Sequence, residues 1–345
     1  MGYRFYLGAS GAGKTYRAFN DIINESIENK DKNFFIIVPE QFTMQTQKDI
    51  VQMHPSHASN NIDVLSFNRL AYRIFEELDI ENPKLIDELD KALILRRIAN
   101  KVELKAWKKQ FQKAGFIDNI KALIPEFMMY DISDEFIKEQ QENKDINSLL
   151  KIKLEDIYKL KKGFGDYIAG KYFTNEQVLD ILNENIINSD LLKDSIILLD
   201  GFAGFTPVQN RIISNLMKVC DEIRFCITLG KRVNPDIELS ESDLFFTSGK
   251  MISQINEMAK KADVKRLDDI NLNTGANTGF RNSKDLNFFE EHFLRYDGEK
   301  SEDVSDIEIN YCMNPLEEID FVANKILKLV KDEGYRYRDI AIIYG

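Results

Sequence analysis

Short apolar runs at residues 3–7, 34–38, 62–67, 196–200 and 222–228 carry the strand signal of this chain. Each is rich in branched aliphatic or aromatic residues and is flanked by polar or turn-forming ones. Stretches of helical period separate the first three runs. In the first of these, Ala18, Ile22, Ile23 and Ile27 recur at the spacing of one helix face. Strand alternating with helix predicts βαβ units, and therefore an α/β fold with a parallel sheet. The alternation then stops. From residue 68 to 194 the period is helical throughout, as in Leu89, Ala92, Leu93, Arg96 and Ile98, and again in Leu149, Ile152, Leu154 and Ile157. Thr174-x-x-Gln177 predicts a capping box opening one more helix. The simplest arrangement is a mostly helical domain (76–191) inserted into a nucleotide-binding domain built from 1–75 and 192–275. A helix over 251–259 and a short strand over 264–267 belong to the latter. Polar residues dominate from Asn271 to Ser305, which predicts a linker over 276–305. A strand (307–312), a helix (315–333) and a strand (340–344) follow. Pro315 in the first helical turn, with Glu317 and Glu318 behind it, suits that helix start. This last block, 306–345, reads as a second α/β domain cut short, so a longer parent protein is expected.

The turn leaving the first strand reads Gly8-Ala9-Ser10-Gly11-Ala12-Gly13-Lys14-Thr15. A G-x-x-x-x-G-K-T string between a strand and a helix is a phosphate-binding loop. Its glycines let the backbone curl so that N–H groups point at phosphates. Lys14 reaches the β- and γ-phosphates, and the Thr15 hydroxyl ligates Mg²⁺ at the helix N-terminus. Four branched aliphatics, 196–199, deliver Asp200 at the end of another buried strand. In phosphate-loop proteins such an Asp holds the same Mg²⁺. ATP and Mg²⁺ are therefore the expected cofactors.

Composition narrows the class. Hydrophobic content of 43% and charge of 30% suit a soluble globular protein. No apolar run approaches the roughly 18 residues of a membrane helix, and the N-terminus lacks the features of a secretory signal. A cytoplasmic protein without membrane contact is expected. The three cysteines, Cys220, Cys226 and Cys312, form no C-x-x-C pair, so neither disulfides nor zinc are indicated, and the first two read as buried thiols. His54-x-x-His57 offers two ligands at most, too few for a metal site. A net charge of −11 argues against binding nucleic acid over the whole surface. One segment departs from that balance: residues 91–121 hold nine basic residues and two acids. Within it Arg96, Arg97, Lys101, Lys105, Lys108 and Lys109 surround Trp107, the sole tryptophan, and Phe111 lies close by. Cations beside aromatic rings suit a single-strand DNA track. A solvated helix face over a core aromatic would read the same way.

Three further segments carry a resemblance. Residues 38–45 (V-P-E-Q-F-T-M-Q), 64–71 (V-L-S-F-N-R-L-A) and 200–209 (D-G-F-A-G-F-T-P-V-Q) fall in the order of superfamily-1 helicase motifs. The segment 336–344 (R-Y-R-D-I-A-I-I-Y) resembles the opening of the second RecA-like domain of that group. The P-E-Q-F-T and D-G-F-x-x-F-T-P-x-Q forms resemble AddB, also called RexB, the B-subunit family of the bacterial ATP-dependent helicase–exonucleases. That resemblance implies a RecA-like phosphate-loop sheet with an inserted helical domain and the start of a second RecA-like domain. It implies a heterodimer with a motor-nuclease A subunit that processes DNA ends in double-strand break repair and recombination, with recognition of a short hotspot sequence. It also implies a nuclease domain with an iron–sulfur cluster, whose carboxylates and cysteine set this chain lacks. By analogy with the helicase motifs, Gln41 and Arg69 contact DNA or couple it to the nucleotide.

Departures from the pattern matter as much as matches. Where active superfamily-1 helicases place the acid that polarises the attacking water, this chain has Gly201, which cannot act as a base. Only seven residues precede Gly8, leaving no room for the adenine-contacting glutamine. The arginine that touches the γ-phosphate would fall on Gly345. Such an arginine is worth about 10³–10⁵ in rate in related enzymes. The sequence therefore predicts a site that binds ATP and hydrolyses it poorly, in keeping with the degenerate motor the resemblance implies. A small-molecule kinase and a non-catalytic DNA-binding scaffold are the rival readings.

Overall fold

The computed structural model describes residues 1–230, 233–273, 283–293, 298–301 and 304–344. Its centre is a seven-stranded sheet of β1 (Gly2–Gly8), β2 (Phe34–Ile37), β3 (Ile62–Leu65), β4 (Ile196–Leu199), β5 (Glu222–Thr228), β6 (Lys265–Arg266) and β7 (Ile270–Asn271). The spatial order is β3-β2-β4-β5-β1-β6, with β7 also on β1, and every pairing is parallel. The register sets Phe5 beside Phe225, Leu199 beside Phe225 and Ile37 beside Leu199. Because all strands run the same way, their C-terminal ends share one edge of the sheet.

Both faces are covered, which is why the strands read as near-continuous apolar runs. Phe5, Leu7, Phe35, Ile37, Ile197, Leu199, Phe225 and Ile227 point to one face. They pack on α3 (Phe67–Glu77), α8 (Asn175–Asn185), α9 (Pro207–Leu216) and α10 (Phe246–Lys261). Tyr6, Phe34, Ile36, Leu198 and Cys226 point to the other, under α1 (Lys14–Glu28) and α2 (Thr43–Met53). Arg224 is also buried, and it pairs with Glu222 at 2.9 Å and Glu25 at 2.7 Å, while Arg4 reaches Glu222 at 2.6 Å. These pairs spare the β5 guanidinium an unpaired burial.

Between β3 and β4 the chain is helical, a segment inserted between strands of the sheet: α4 (Glu88–Ala99), α5 (Ala114–Met129), α6 (Asp134–Glu142) and α7 (Ser148–Ile168) precede α8. Ile94, Leu95, Ile98, Ile120, Ile124, Leu160 and Phe164 form a core of their own. The capping box at Thr174 and Gln177 is present, yet Val178 and Leu182 of α8 pack into the sheet's cluster. One buried polar residue organises the turn after α4. Asp156 of α7 is fully buried and accepts the backbone N–H groups of Lys105, Ala106 and Trp107 at 2.9, 2.8 and 3.0 Å.

Backbone contacts divide the chain into two units, Met1–Gly279 and Phe280–Gly345. In the second, α11 (Lys284–His292) and α12 (Pro315–Lys331) are formed, the latter close to its predicted span. The strands expected over 307–312 and 340–344 are not. Both segments lack strand structure, with Ile309, Tyr311, Ile343 and Tyr344 almost fully exposed. Apolar alternation alone does not make a strand; a hydrogen-bonding neighbour does, and the described residues supply none. Conversely, β7 falls at the start of the stretch read as polar.

Burial pushes the Cys220 thiol up to about 12 and the Cys226 thiol well above its usual value. Cys312 is partly exposed. Since thiolate and access govern reactivity, titration of the native chain with a disulfide reagent should show Cys312 alone reacting rapidly, with the other two following only on unfolding. Rapid reaction of Cys220 or Cys226 would contradict this packing.

Candidate nucleotide-binding site

The Gly8–Thr15 segment leaves the C-terminal end of β1, next to β5 and one strand removed from β4. Gly13 stands at the N-cap of α1 with φ of 89°, in the left-handed region that side chains disfavour. No side chain caps α1 and no acid lies in its first turn. That leaves the positive end of the helix dipole facing outward for an anion. Lys14 Nζ donates to the Ala9 carbonyl at 2.9 Å, and Ala12 N donates to the same oxygen at 3.1 Å. Ala9 is fully buried, and its N–H donates to Asn273 Oδ1 at 2.7 Å. Asn273 Nδ2 in turn reaches the Leu229 carbonyl at 3.2 Å. The loop is thus pinned from below by a residue no motif announces. Its signal was hidden in the polar stretch read as leading to a linker.

Thr15 Oγ1 donates to Asp200 Oδ2 at 2.8 Å, closing the gap between the loop and the end of β4. Asp200 N bonds the Ile37 carbonyl at 3.1 Å, which holds that carboxylate at the sheet's edge. A hydroxyl and a carboxylate at this separation are hard oxygen donors suited to Mg²⁺, which takes its remaining ligands from phosphate and water. Among the described residues no group of three or more His, Cys, Asp or Glu could hold a metal without such help. His54 instead bonds Ser56 through Nδ1 at 2.8 Å. Burial lowers the Lys14 ammonium from its ordinary range, with nearby Cys226 and Asp200 opposing the shift. A polyphosphate would offset that desolvation with its opposite charge.

Gly201 follows with φ of 79°, and a Cβ there would stand 3.4 Å from Pro39 Cδ. The backbone at the position of the missing acid is shaped for glycine. Gly345, where the missing arginine would fall, lies outside the described residues. A cavity of about 490 Å³ beside the loop is lined by Gly11, Gly13, Lys14 and Thr15, then by Tyr16 and by Asp49 and Gln52 of α2.

Of the proposed DNA contacts, Gln41 is exposed in the turn after β2, and Arg69 of α3 pairs with Glu40 at 3.2 Å. Glu40 also takes the Ser66 hydroxyl, so these two segments are tied together. In the insertion, Arg97 lies over the Tyr167 ring at 5.6 Å, and Lys105 pairs with Glu155 at 2.9 Å. Trp107 is half-buried and meets Phe116 edge-on at 5.4 Å. Arg96, Lys101, Lys108 and Lys109 are exposed and have no ion-pair partner among the described residues.

Residues 5–290 match the family model described as ADDB, N-terminal. Over all of its length the chain is 35% identical to the B subunit of the ATP-dependent helicase/deoxyribonuclease of Lachnoclostridium phytofermentans. Proteins of the same name from Clostridium tetani and Alkaliphilus metalliredigens are 33% and 31% identical, also over the full chain. The chain spans 30% of the length of each of these relatives.

Proposed function

The chain belongs to the AddB N-terminal family, and from that premise we propose that it is the ATP-binding, helicase-like part of a B subunit of a helicase–nuclease complex, with a degenerate motor. Its partner is a motor-nuclease A subunit, its substrate is DNA ends, and its setting is double-strand break repair and recombination in the cytoplasm. One observation supports the nucleotide role above the rest. Lys14, Thr15 and Asp200 meet at the C-terminal edge of a parallel sheet, with Thr15 and Asp200 in direct contact at 2.8 Å. Lys14 and the first turn of α1 hold the phosphates, while Thr15 and Asp200 hold Mg²⁺. We assign residues 1–75 and 192–275 to the nucleotide-binding domain, 76–191 to the insertion and 306–345 to the second RecA-like domain. The nuclease chemistry and its iron–sulfur cluster belong to other parts of the parent protein.

Hydrolysis is slow in this reading, because position 201 holds a glycine in a glycine-shaped backbone and so offers the water no base. The test is a titration of ATP–Mg²⁺ followed by a turnover assay with and without DNA ends. Binding with turnover that DNA leaves unchanged is the expected result. Rapid DNA-stimulated hydrolysis by this chain alone would overturn the degenerate motor. Phosphoryl transfer to a small acceptor would favour a kinase instead.

A further inference from the structure

The helical insertion holds a cavity of about 800 Å³, within the range of small-ligand sites. Arg96, Lys101 and Lys108 line it, against one acid, Glu103. Val102, Leu104 and the ring of Phe111 give it an apolar side. The three cations are exposed and have no ion-pair partner among the described residues. Their neighbours differ: Lys91 pairs with Glu88, Lys105 with Glu155 and Lys121 with Glu88. In this segment, charge without an ion-pair partner among the described residues thus lies at the cavity, in the Lys109–Lys113 stretch beyond it, and at Arg97, which sits over the Tyr167 ring.

This site is also held in shape. The three N–H bonds to Asp156 fix the chain between Lys101 and Lys108, and Lys159 Nζ bonds the Glu103 carbonyl at 2.8 Å. A rigid cavity with free cations at its rim and an aromatic edge suits an anion that carries a flat apolar group. Nucleotides have that chemistry. In a duplex the base faces are stacked away, whereas a single strand presents them.

We propose that this cavity takes one unpaired nucleotide of single-stranded DNA, its base against Phe111 and its flanking phosphates on Arg96, Lys101 and Lys108. The proposal rests on the DNA reading above and sharpens it from a surface track to a discrete site. Trp107 does not line the cavity but packs edge-on against Phe116 at 5.4 Å, as Phe111 does at 5.3 Å, so it reports on the site without being its platform.

The test measures binding of the 345-residue chain to a labelled oligothymidylate and to a blunt hairpin duplex across a salt series. Three proteins are compared: wild type, Arg96→Ala/Lys101→Ala/Lys108→Ala, and a control, Lys144→Ala/Lys162→Ala, at two exposed lysines that lie outside the basic segment. Circular dichroism checks that each is folded. Wild type should prefer the single strand, which should change Trp107 fluorescence. The triple variant should lose affinity about 10- to 100-fold, with the log–log salt slope falling by about 0.7 per lost phosphate contact. It should also lose the fluorescence change, while the control stays close to wild type in both. Equal binding of duplex, an unaffected triple variant, or an equal loss in the control overturns the discrete site while leaving DNA binding intact. Displacement by pyrophosphate at concentrations where a mononucleotide acts equally well also overturns it, as a free-anion site. Absence of any DNA binding by wild type removes the DNA reading itself, and this inference with it.

Discussion

Lys14→Ala is expected to weaken ATP–Mg²⁺ binding by about 2–4 kcal/mol, or roughly 30- to 1,000-fold. The ammonium sits over the loop, donating to the Ala9 carbonyl at 2.9 Å, and burial has already removed part of its hydration. Phosphates arriving at the uncapped end of α1 meet a charge poised beside them. Truncating that charge removes a desolvated charge pair, the costly kind. The fold itself should be spared. Ala9 O keeps the Ala12 N–H as a partner, so no buried acceptor is orphaned. The pH dependence has a definite sign. A lysine whose pKa is lowered in the free protein must be protonated to hold phosphate, so nucleotide binding takes up a proton as pH approaches that lowered value. Affinity should therefore be level below it and fall as pH rises through it. The variant should lack this alkaline limb. Calorimetric titrations in two buffers of different ionisation enthalpy measure both effects. Binding by the variant within about threefold of wild type, under 1 kcal/mol, would remove Lys14 from the site.

Much of this architecture was legible because parallel strands buried on both faces leave uninterrupted apolar runs. The run at 222–228 became β5 residue for residue, β2 and β4 stop one residue short of expectation, and β1 runs one residue further at each end. The capping boxes and the phosphate loop were readable for another reason: their chemistry is set by residues within a few positions of each other. What stayed hidden depends on residues far apart in sequence. Asn273 reaches Ala9 across 264 positions, and its neighbours make it look like linker. Arg69 and Glu40 pair across 29 positions, which no local pattern encodes. The same limit explains the strands expected over 307–312 and 340–344. Alternation records a face that prefers burial, but only a neighbouring strand turns that preference into a ladder. Composition alone also could not divide the basic segment. Lys105 and Arg97 have partners brought in by α7, and only the fold separates them from Arg96, Lys101 and Lys108.

Gly201 gains meaning in the same way. Along the sequence it reads as a glycine where superfamily-1 helicases place an acid. In the structure its left-handed backbone lies against Pro39, so an acid placed there by substitution would meet strain of about 1–2 kcal/mol before it could help a water. Under the proposed function, slow hydrolysis then follows from the backbone at 201 as well as from its missing side chain, while Lys14, Thr15 and Asp200 keep the groups that would bind the nucleotide.

Asp156→Ala should destabilise the insertion by about 3–5 kcal/mol. The carboxylate is fully buried and accepts three successive N–H groups, at 2.9, 2.8 and 3.0 Å. Each buried donor left without a partner costs about 1–3 kcal/mol, and the half-exposed turn lets water recover part of the sum. Asp156→Asn keeps one acceptor oxygen and should lie between wild type and alanine, which separates lost hydrogen bonds from lost volume. Because Trp107 supplies one of the three donors, its emission should shift to the red as the turn loosens, at denaturant concentrations below the main transition. Nucleotide binding at Lys14 should persist, since Asp156 packs within the insertion and not against the sheet. Single-strand binding should fall, because the cations at 101 and 108 flank the turn that Asp156 holds. An unfolding free energy within about 1 kcal/mol of wild type would mean that α7 does not anchor this turn, and the rigid cavity argued from it would lose its basis.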